Sequence, residues 1–373
     1  MRFFITIFSL VCCFISKAAA LDLTAPQAYM VDFNTGTVLF EKNANQPMVP
    51  SSLSKIMTAY VVFERLKKGD IKLTDTLPVS TKAWQTEGSR MFVNVDSQVS
   101  VDDLLKGVAV QSGNDACVVL AEGLGGSEAD FSEEMTRKAH EMGAKNTTFL
   151  NATGLPDEGH LSTAKDLAII AERTLRDFPE YYEKYYGLKE FSYNNIKQQN
   201  RNTLIGKNVG VDGLKTGHTE AGGYGIVVSA KQGDRRLIMV LNGLPTASAR
   251  HTEAMRFLNW GFNYFKNYKI SQKNVPIDMV DVWGGEEKIV PVVAKNDTIV
   301  TLPRHHRRNL QVKLVYNSPI QAPIKAGDPV GVVEITIPEG GVHQVPLVAG
   351  KDVGRAWFHQ RLKNSISYLL MGK

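Results

Sequence analysis

The sequence predicts an α/β (α+β) unit of antiparallel strands and helices, followed by a small all-β domain and a terminal amphipathic helix. Three observations carry this. Helical apolar periodicity recurs between residues 101 and 176, hairpin patterns flank that stretch on both sides, and beyond residues 269–276 the chain turns to short segments rich in Val and Ile. At 373 residues the chain is also too long for one average domain.

The elements follow in order. Residues 1–20 read as a secretory leader: Arg2 opens a positive region, Phe3 to Ile15 is apolar but for Thr6 and Ser9, and Ala18-Ala19-Ala20 fits a cleavage site. That apolar run falls short of the roughly 20 residues a bilayer span needs. Cys12 and Cys13 would leave with the leader, and Cys117 alone makes neither an internal disulfide nor a zinc site. The first folded unit is expected over 21–268. Tyr29 to Phe40 reads as a hairpin around Asn34-Thr35-Gly36, and a helix capped by Ser51 should run from there to Lys67-Lys68-Gly69. Helices are expected at 101–108, 114–123, 128–142 and 163–176, then paired strands about Gln232-Gly233-Asp234 and a helix through Phe257, Leu258 and Phe262. The β-rich domain is expected over 277–350.

The last segment, 354–373, places Phe358, Leu362, Ile366, Leu369 and Leu370 on one side of a helix beside Arg355, Arg361, Lys363 and Lys373. Such a helix suits an anionic membrane surface. A net charge of +5, with no basic run or aromatic-basic interleaving before this segment, argues against nucleic acid as a partner.

Three short motifs carry the chemistry: Ser52-Leu53-Ser54-Lys55, Ser112-Gly113-Asn114 and Lys215-Thr216-Gly217. Residues three apart on a helix share a face, so Ser52 and Lys55 can hydrogen bond. A serine hydroxyl is a weak nucleophile until a base takes its proton, and Lys55 serves only if its pKa is lowered. At a helix start, free N–H groups can also stabilise an oxyanion at Ser52. Lys215-Thr216-Gly217, read as preceding a strand after an Asp212-Gly213 turn, offers a cation and a hydroxyl to an anionic substrate. Gly217 is read there as clearing space for the substrate backbone.

Singly these motifs are weak, since Ser162-Thr163-Ala164-Lys165 and Ser192-Tyr193-Asn194 repeat two of them. The first repeat is read as a helix start, because Thr163 and Asp166 fit a capping box. In order, the three form a strong set. His305-His306, set among Arg304, Arg307 and Arg308, reads as a solvated edge rather than a metal site. Asn151-Ala152-Thr153 matches a glycosylation acceptor, a pattern that arises often by chance. Cys117 reads as a small core residue.

The ordered set resembles the penicillin-binding proteins and serine β-lactamases. Finer details resemble the low-molecular-mass D-alanyl-D-alanine carboxypeptidases: the early hairpin with Thr35-Gly36, the Pro50-to-Thr58 run, Asn200-Arg201-Asn202, Val211-to-Thr219, and Arg250 upstream of Trp260-Gly261-Phe262. The likeness covers most of residues 24–265. It implies a serine β-lactamase-like fold, export to the periplasm, and a C-terminal helix resting on the outer face of the cytoplasmic membrane. It also implies roles. Ser52 would attack the carbonyl between two D-alanines of a peptidoglycan stem peptide, with Lys55 as base. Ser112 would relay protons to the leaving amine near Lys215, and Asn114 would hold Lys55 or the substrate amide. Backbone N–H groups of Ser52 and His218 would form the oxyanion hole. Thr216 and Arg250 would bind the terminal carboxylate, with Arg201 at the same anionic edge. β-Lactam antibiotics would acylate Ser52 as inhibitors, and no metal or cofactor is called for. Gly113 stands where many relatives carry aspartate. Glu190-Phe191-Ser192-Tyr193-Asn194 matches a β-lactamase E-x-x-x-N pattern but lies too close to Lys215 for that layout. The rival readings are a D,D-endopeptidase of cross-links and a scaffold with lapsed catalysis.

Overall fold

The computed structural model describes residues 21–304, 311–337 and 341–360. The expected leader, His305-His306 and most of the terminal helix lie outside the described residues. The chain divides into two units, Leu21–Tyr264 and a second that begins at Phe265. The break falls earlier than the composition change suggests, because Phe265–Ser271 already pairs with a strand of the second unit.

The first unit opens with β1 (Gln27–Asp32) and β2 (Val38–Lys42), the expected antiparallel hairpin. A 3-10 turn, Ser51–Ser54, leads into α1 (Lys55–Lys68), which ends at left-handed Gly69. Two short strands, β3 (Thr76–Pro78) and β4 (Gln98–Ser100), flank α2 (Thr81–Gln85). Four helices follow: α3 (Val101–Val110), α4 (Asn114–Gly125), α5 (Glu128–Met142) and α6 (Ala164–Asp177). Ser100, Ser127 and Thr163 cap α3, α5 and α6 by accepting the N–H of Asp103, Asp130 and Asp166. Next come α7 (Pro179–Tyr186), the small hairpin β5 (Glu190–Tyr193) with β6 (Ile196–Gln199), the long strands β7 (Val211–Thr219), β8 (Gly223–Gln232) and β9 (Arg235–Leu244), and α8 (Ala247–Tyr264).

The sheet order is β2-β1-β9-β8-β7, antiparallel throughout. Its inner strands read as continuous apolar runs because both faces are covered, and Val227, Val228, Leu237, Ile238, Met239 and Val240 are buried. Helix α4 is buried from Asn114 to Ala121, with Cys117 inside it as expected.

Two local readings are corrected. Ser51 does not cap α1: its φ is 51°, and its hydroxyl pairs instead with the Thr219 hydroxyl at 2.8 Å. Asp212-Gly213 is not a turn before a strand but part of β7, at a shift in register. Tertiary contacts win over turn propensity here. The Arg236 guanidinium grips the Asp212 carboxylate through two 2.7 Å bonds, Tyr182 donates to it at 2.6 Å, and any Cβ on Gly213 would run into the Tyr182 hydroxyl.

The second unit is all-β. It comprises β10 (Phe265–Ser271), β11 (Pro276–Trp283), β12 (Ile289–Ala294), β13 (Thr298–Pro303), β14 (Gln311–Tyr316), β15 (Ile320–Gln321), β16 (Pro329–Ile337) and β17 (Gly341–Ala349). Alternating Val280, Val282, Val290, Val292, Ile335 and Leu347 form its core. Among the described residues, no helix is long and apolar enough to cross a membrane.

Candidate active site

The 3-10 turn places Ser52 one turn ahead of Lys55, at the mouth of α1. Lys55 is fully buried, and its Nζ meets three oxygens: Ser52 Oγ at 2.9 Å, Asn114 Oδ1 at 2.7 Å, and the Thr153 carbonyl. Burial is the main force lowering its pKa from 10.5 to about 8; the Arg201 cation adds to this, while Cys117 and Asp115 oppose it. A neutral amine has two N–H groups and one lone pair. With the Asn114 and Thr153 oxygens taking both hydrogens, the lone pair is left for the Ser52 proton.

The second motif sits at the start of α4. Asn114 donates from Nδ2 to the Glu87 carbonyl at 2.7 Å, and its backbone N–H reaches the Ser89 carbonyl at 2.6 Å. Ser112 takes a left-handed backbone, φ 66°, and its buried hydroxyl has no hydrogen-bond partner among the described residues. Such strain in a non-glycine residue is uncommon and concentrates at functional sites. The glycine between them has a packing reason. A Cβ at Gly113 would stand 2.9 Å from Asp115 Oδ1 and 3.2 Å from the Met91 nitrogen. That carboxylate accepts the N–H groups of Met91 at 2.9 Å, Phe92 at 2.8 Å and Val93 at 3.2 Å, so it fastens the 87–93 loop beside the motif.

The third motif lies within β7, the outermost strand. Lys215 is buried and donates to its neighbour's carbonyl, that of Thr216, at 2.9 Å. Burial first, then the Lys55 and Arg201 charges, hold its pKa well below the ordinary lysine range. The space a side chain would take at Gly217 is filled by the fold: a Cβ there would meet Leu53 Cγ and the Pro50 carbonyl at 3.1 Å each. The bare glycine lets β7 lie flat against the turn that carries Ser52. His218 is exposed and stacks on Tyr224, ring centroids 3.8 Å apart. Arg250 sits over the other partner of that stack, 5.6 Å from the Tyr224 ring, with Nη1 3.5 Å from the Gly217 carbonyl. Arg201 donates from Nε to the Gln111 carbonyl at 3.0 Å, and its charge depresses Lys55, Lys215 and Arg250 alike. Contacts and charge thus link Ser52, Lys55, Asn114, Lys215, Arg201 and Arg250 in one cluster, with Ser112 and Thr216 next to it along the chain and His218 joined through the Tyr224 ring that Arg250 covers.

The decoy motifs stay apart from it. Ser162 bonds the Thr147 hydroxyl in the fold, Thr163 is a helix cap, and Asn194 lies in the hairpin bend and donates to the Phe92 carbonyl.

Sequence reasoning missed two contributors. The Thr153 carbonyl is aimed by Asn151, whose side-chain oxygen accepts from the Thr153 and Gly154 N–H groups at 3.2 and 2.8 Å. The signal was present as Asn151-Ala152-Thr153-Gly154, an Asx turn closed by a glycine at φ 76°. His160 is the other. Its Nδ1 accepts the Leu150 N–H at 3.2 Å, which assigns the proton to Nε2, 2.9 Å from Ser54 Oγ. Burial keeps this ring neutral, its pKa down at about 4.

A serine and a lowered-pKa lysine on a buried helix, faced by an edge strand bearing a second lysine, define an active-serine hydrolase of the penicillin-binding class. The chain belongs to the D-alanyl-D-alanine carboxypeptidase family, whose model matches residues 15–246, and residues 265–355 match the C-terminal domain of penicillin-binding protein 5. It is 39% identical over 351 residues to D-alanyl-D-alanine carboxypeptidase DacC of Escherichia coli, covering 89% of this chain and 88% of that protein. Among solved structures, penicillin-binding protein 5 from Haemophilus influenzae superposes with TM-score 0.78 at 37% identity, covering 90% of this chain and 98% of that one. Penicillin-binding protein D2 from Listeria monocytogenes, solved in a cefotaxime-bound form, matches with TM-score 0.60 at 31% identity, over 65% of this chain and 99% of that one.

Proposed function

We propose that the protein removes the terminal D-alanine from peptidoglycan stem peptides through an acyl-enzyme on Ser52, and that penicillins acylate the same oxygen. The Lys55 amine, set between Ser52 Oγ, Asn114 Oδ1 and the Thr153 carbonyl, is the observation that supports this best. Ser52 Oγ attacks the carbonyl of the penultimate D-alanine as its proton passes to Lys55 Nζ. The tetrahedral oxyanion is taken by the backbone N–H groups of Ser52 and His218. As the C–N bond breaks, Ser112 passes a proton from the lysine side of the site to the leaving amine, and D-alanine departs. Water then attacks the ester, giving its proton back through Lys55, and Ser52 is regenerated. Thr216, Arg250 and Arg201 hold the substrate carboxylate beside Lys215.

Mass spectrometry after incubation with a penicillin tests the nucleophile. One penicilloyl adduct is expected on the wild type and none on Ser52→Ala; an adduct on both would move the reaction to another serine. Export and attachment to a membrane surface are part of the same proposal, supported by the leader pattern and the terminal amphipathic pattern. Trp357 and Phe358, 74% and 71% exposed, stand where that last segment begins. Full-length protein should sediment with anionic vesicles and a chain ending at Ala356 should not; equal sedimentation would dismiss the anchor.

A further inference from the structure

A cavity of about 620 Å³ opens at the far end of β7 from Lys215. On one side its wall holds His218, Thr219 and Glu220, the residues that follow Gly217; on the other it holds Met48 and Val49, which run into the Ser52 turn. The two walls are tied beside the nucleophile by the Ser51–Thr219 hydroxyl pair, 2.8 Å apart. Glu220 is exposed and is the one carboxylate among the lining residues, where no lysine or arginine appears.

We infer that this cavity receives the peptide on the acyl side of the cleaved bond, and that Glu220 recognises an ammonium-bearing side chain on the residue preceding the acyl D-alanine. The inference rests on the proposed carboxypeptidase reading and adds a substrate preference to it. Strand β7 ends the sheet, so its outer edge has backbone groups free to pair with an extended peptide. With the substrate carboxylate among Thr216, Arg201 and Arg250, the rest of an antiparallel peptide runs toward Thr219 and Glu220. Glu220 is the first residue past β7, in the turn that leads to β8, and two residues of chain reach no further than about 7 Å, so it stands within that distance of His218. The residue preceding the acyl D-alanine, with a four-carbon amine side chain, spans that distance.

The test compares two pentapeptides, L-Ala-γ-D-Glu-L-Lys-D-Ala-D-Ala and the same peptide acetylated on the lysine amine. D-Alanine release by wild type and Glu220→Gln gives kcat/KM for each. Wild type should prefer the free amine about fivefold, as an exposed charge-assisted pair allows, and in E220Q the ratio should fall to about one. A wild-type ratio of one overturns the inference, and so does a fivefold preference that survives in E220Q. Should E220Q fail to fold, the wild-type ratio alone decides. Penicillin acylation of the same wild-type preparation separates the two readings: no acylation sinks the carboxypeptidase proposal, whereas normal acylation without amine preference sinks this one alone.

Discussion

Lys55 makes the pH dependence of acylation a quantitative test. A lysine of pKa 10.5 held at about 8 leaves about one tenth of the amines neutral at pH 7, against roughly three in ten thousand for an ordinary lysine. Burial therefore supplies about 300 times more free base. Since the active form is the neutral one, acylation should fall tenfold per unit below pH 8 and level off above it. Between pH 9 and pH 6 the expected loss is about 90-fold. Stopped-flow acylation by a fluorescent penicillin gives the second-order rate constant directly. Arg201→Gln removes a cation that lowers the Lys55 pKa, so the acid limb should move to higher pH in that variant. A rate constant flat from pH 6 to 9 would refute Lys55 as the base, whatever its distance from Ser52.

Two further outcomes follow from the neighbours of the site. Gly154→Ala sets a methyl onto the Ser51 carbonyl oxygen at a left-handed position, so the turn must shift. Acylation should fall at least a hundredfold, with about 2 kcal/mol or more lost in thermal unfolding; near-normal acylation would mean the 151–154 turn does not hold Lys55 in place. His160 is neutral in the fold with its pKa lowered to about 4 from 6.5, so the unfolded chain binds the extra proton. Stability is therefore lost as pH falls from about 6.5 toward 4, and His160→Gln should flatten that part of the unfolding profile; an unchanged acid slope would show that other groups set it.

The helices were legible because their cues are local: the caps at Ser100, Ser127 and Thr163 and an apolar period of 3.6 carry them without help. The three motifs were legible because order along the chain survives folding. What the sequence hid was tertiary. Helix α7, Pro179–Tyr186, was missed because its tyrosines show no simple stripe and two of them, Tyr181 and Tyr185, stack on Phe63 of α1, far away in the chain. Gly217 was singled out for substrate space, and the further reason the fold gives for it, the packing of β7 on Leu53 and Pro50, had no local signal. The Thr153 carbonyl has no side-chain signature at all, so only the Asn151 turn could have hinted at it.

The place of β7 at the rim of its sheet has a consequence for association between copies. An uncovered strand edge is a template on which a second molecule can add its own strand. On the proposed reading the edge has to stay open, since a substrate peptide must reach it. Lys215 is buried on the rim strand with its pKa held low, so the cations Arg201 and Arg250 beside it are the charges that would turn away another copy while leaving the edge open to the carboxylate of the proposed substrate. Neutralising those cations would thus be expected to cost solubility along with turnover, since on that reading one set of charges would both admit the substrate and keep the molecules apart.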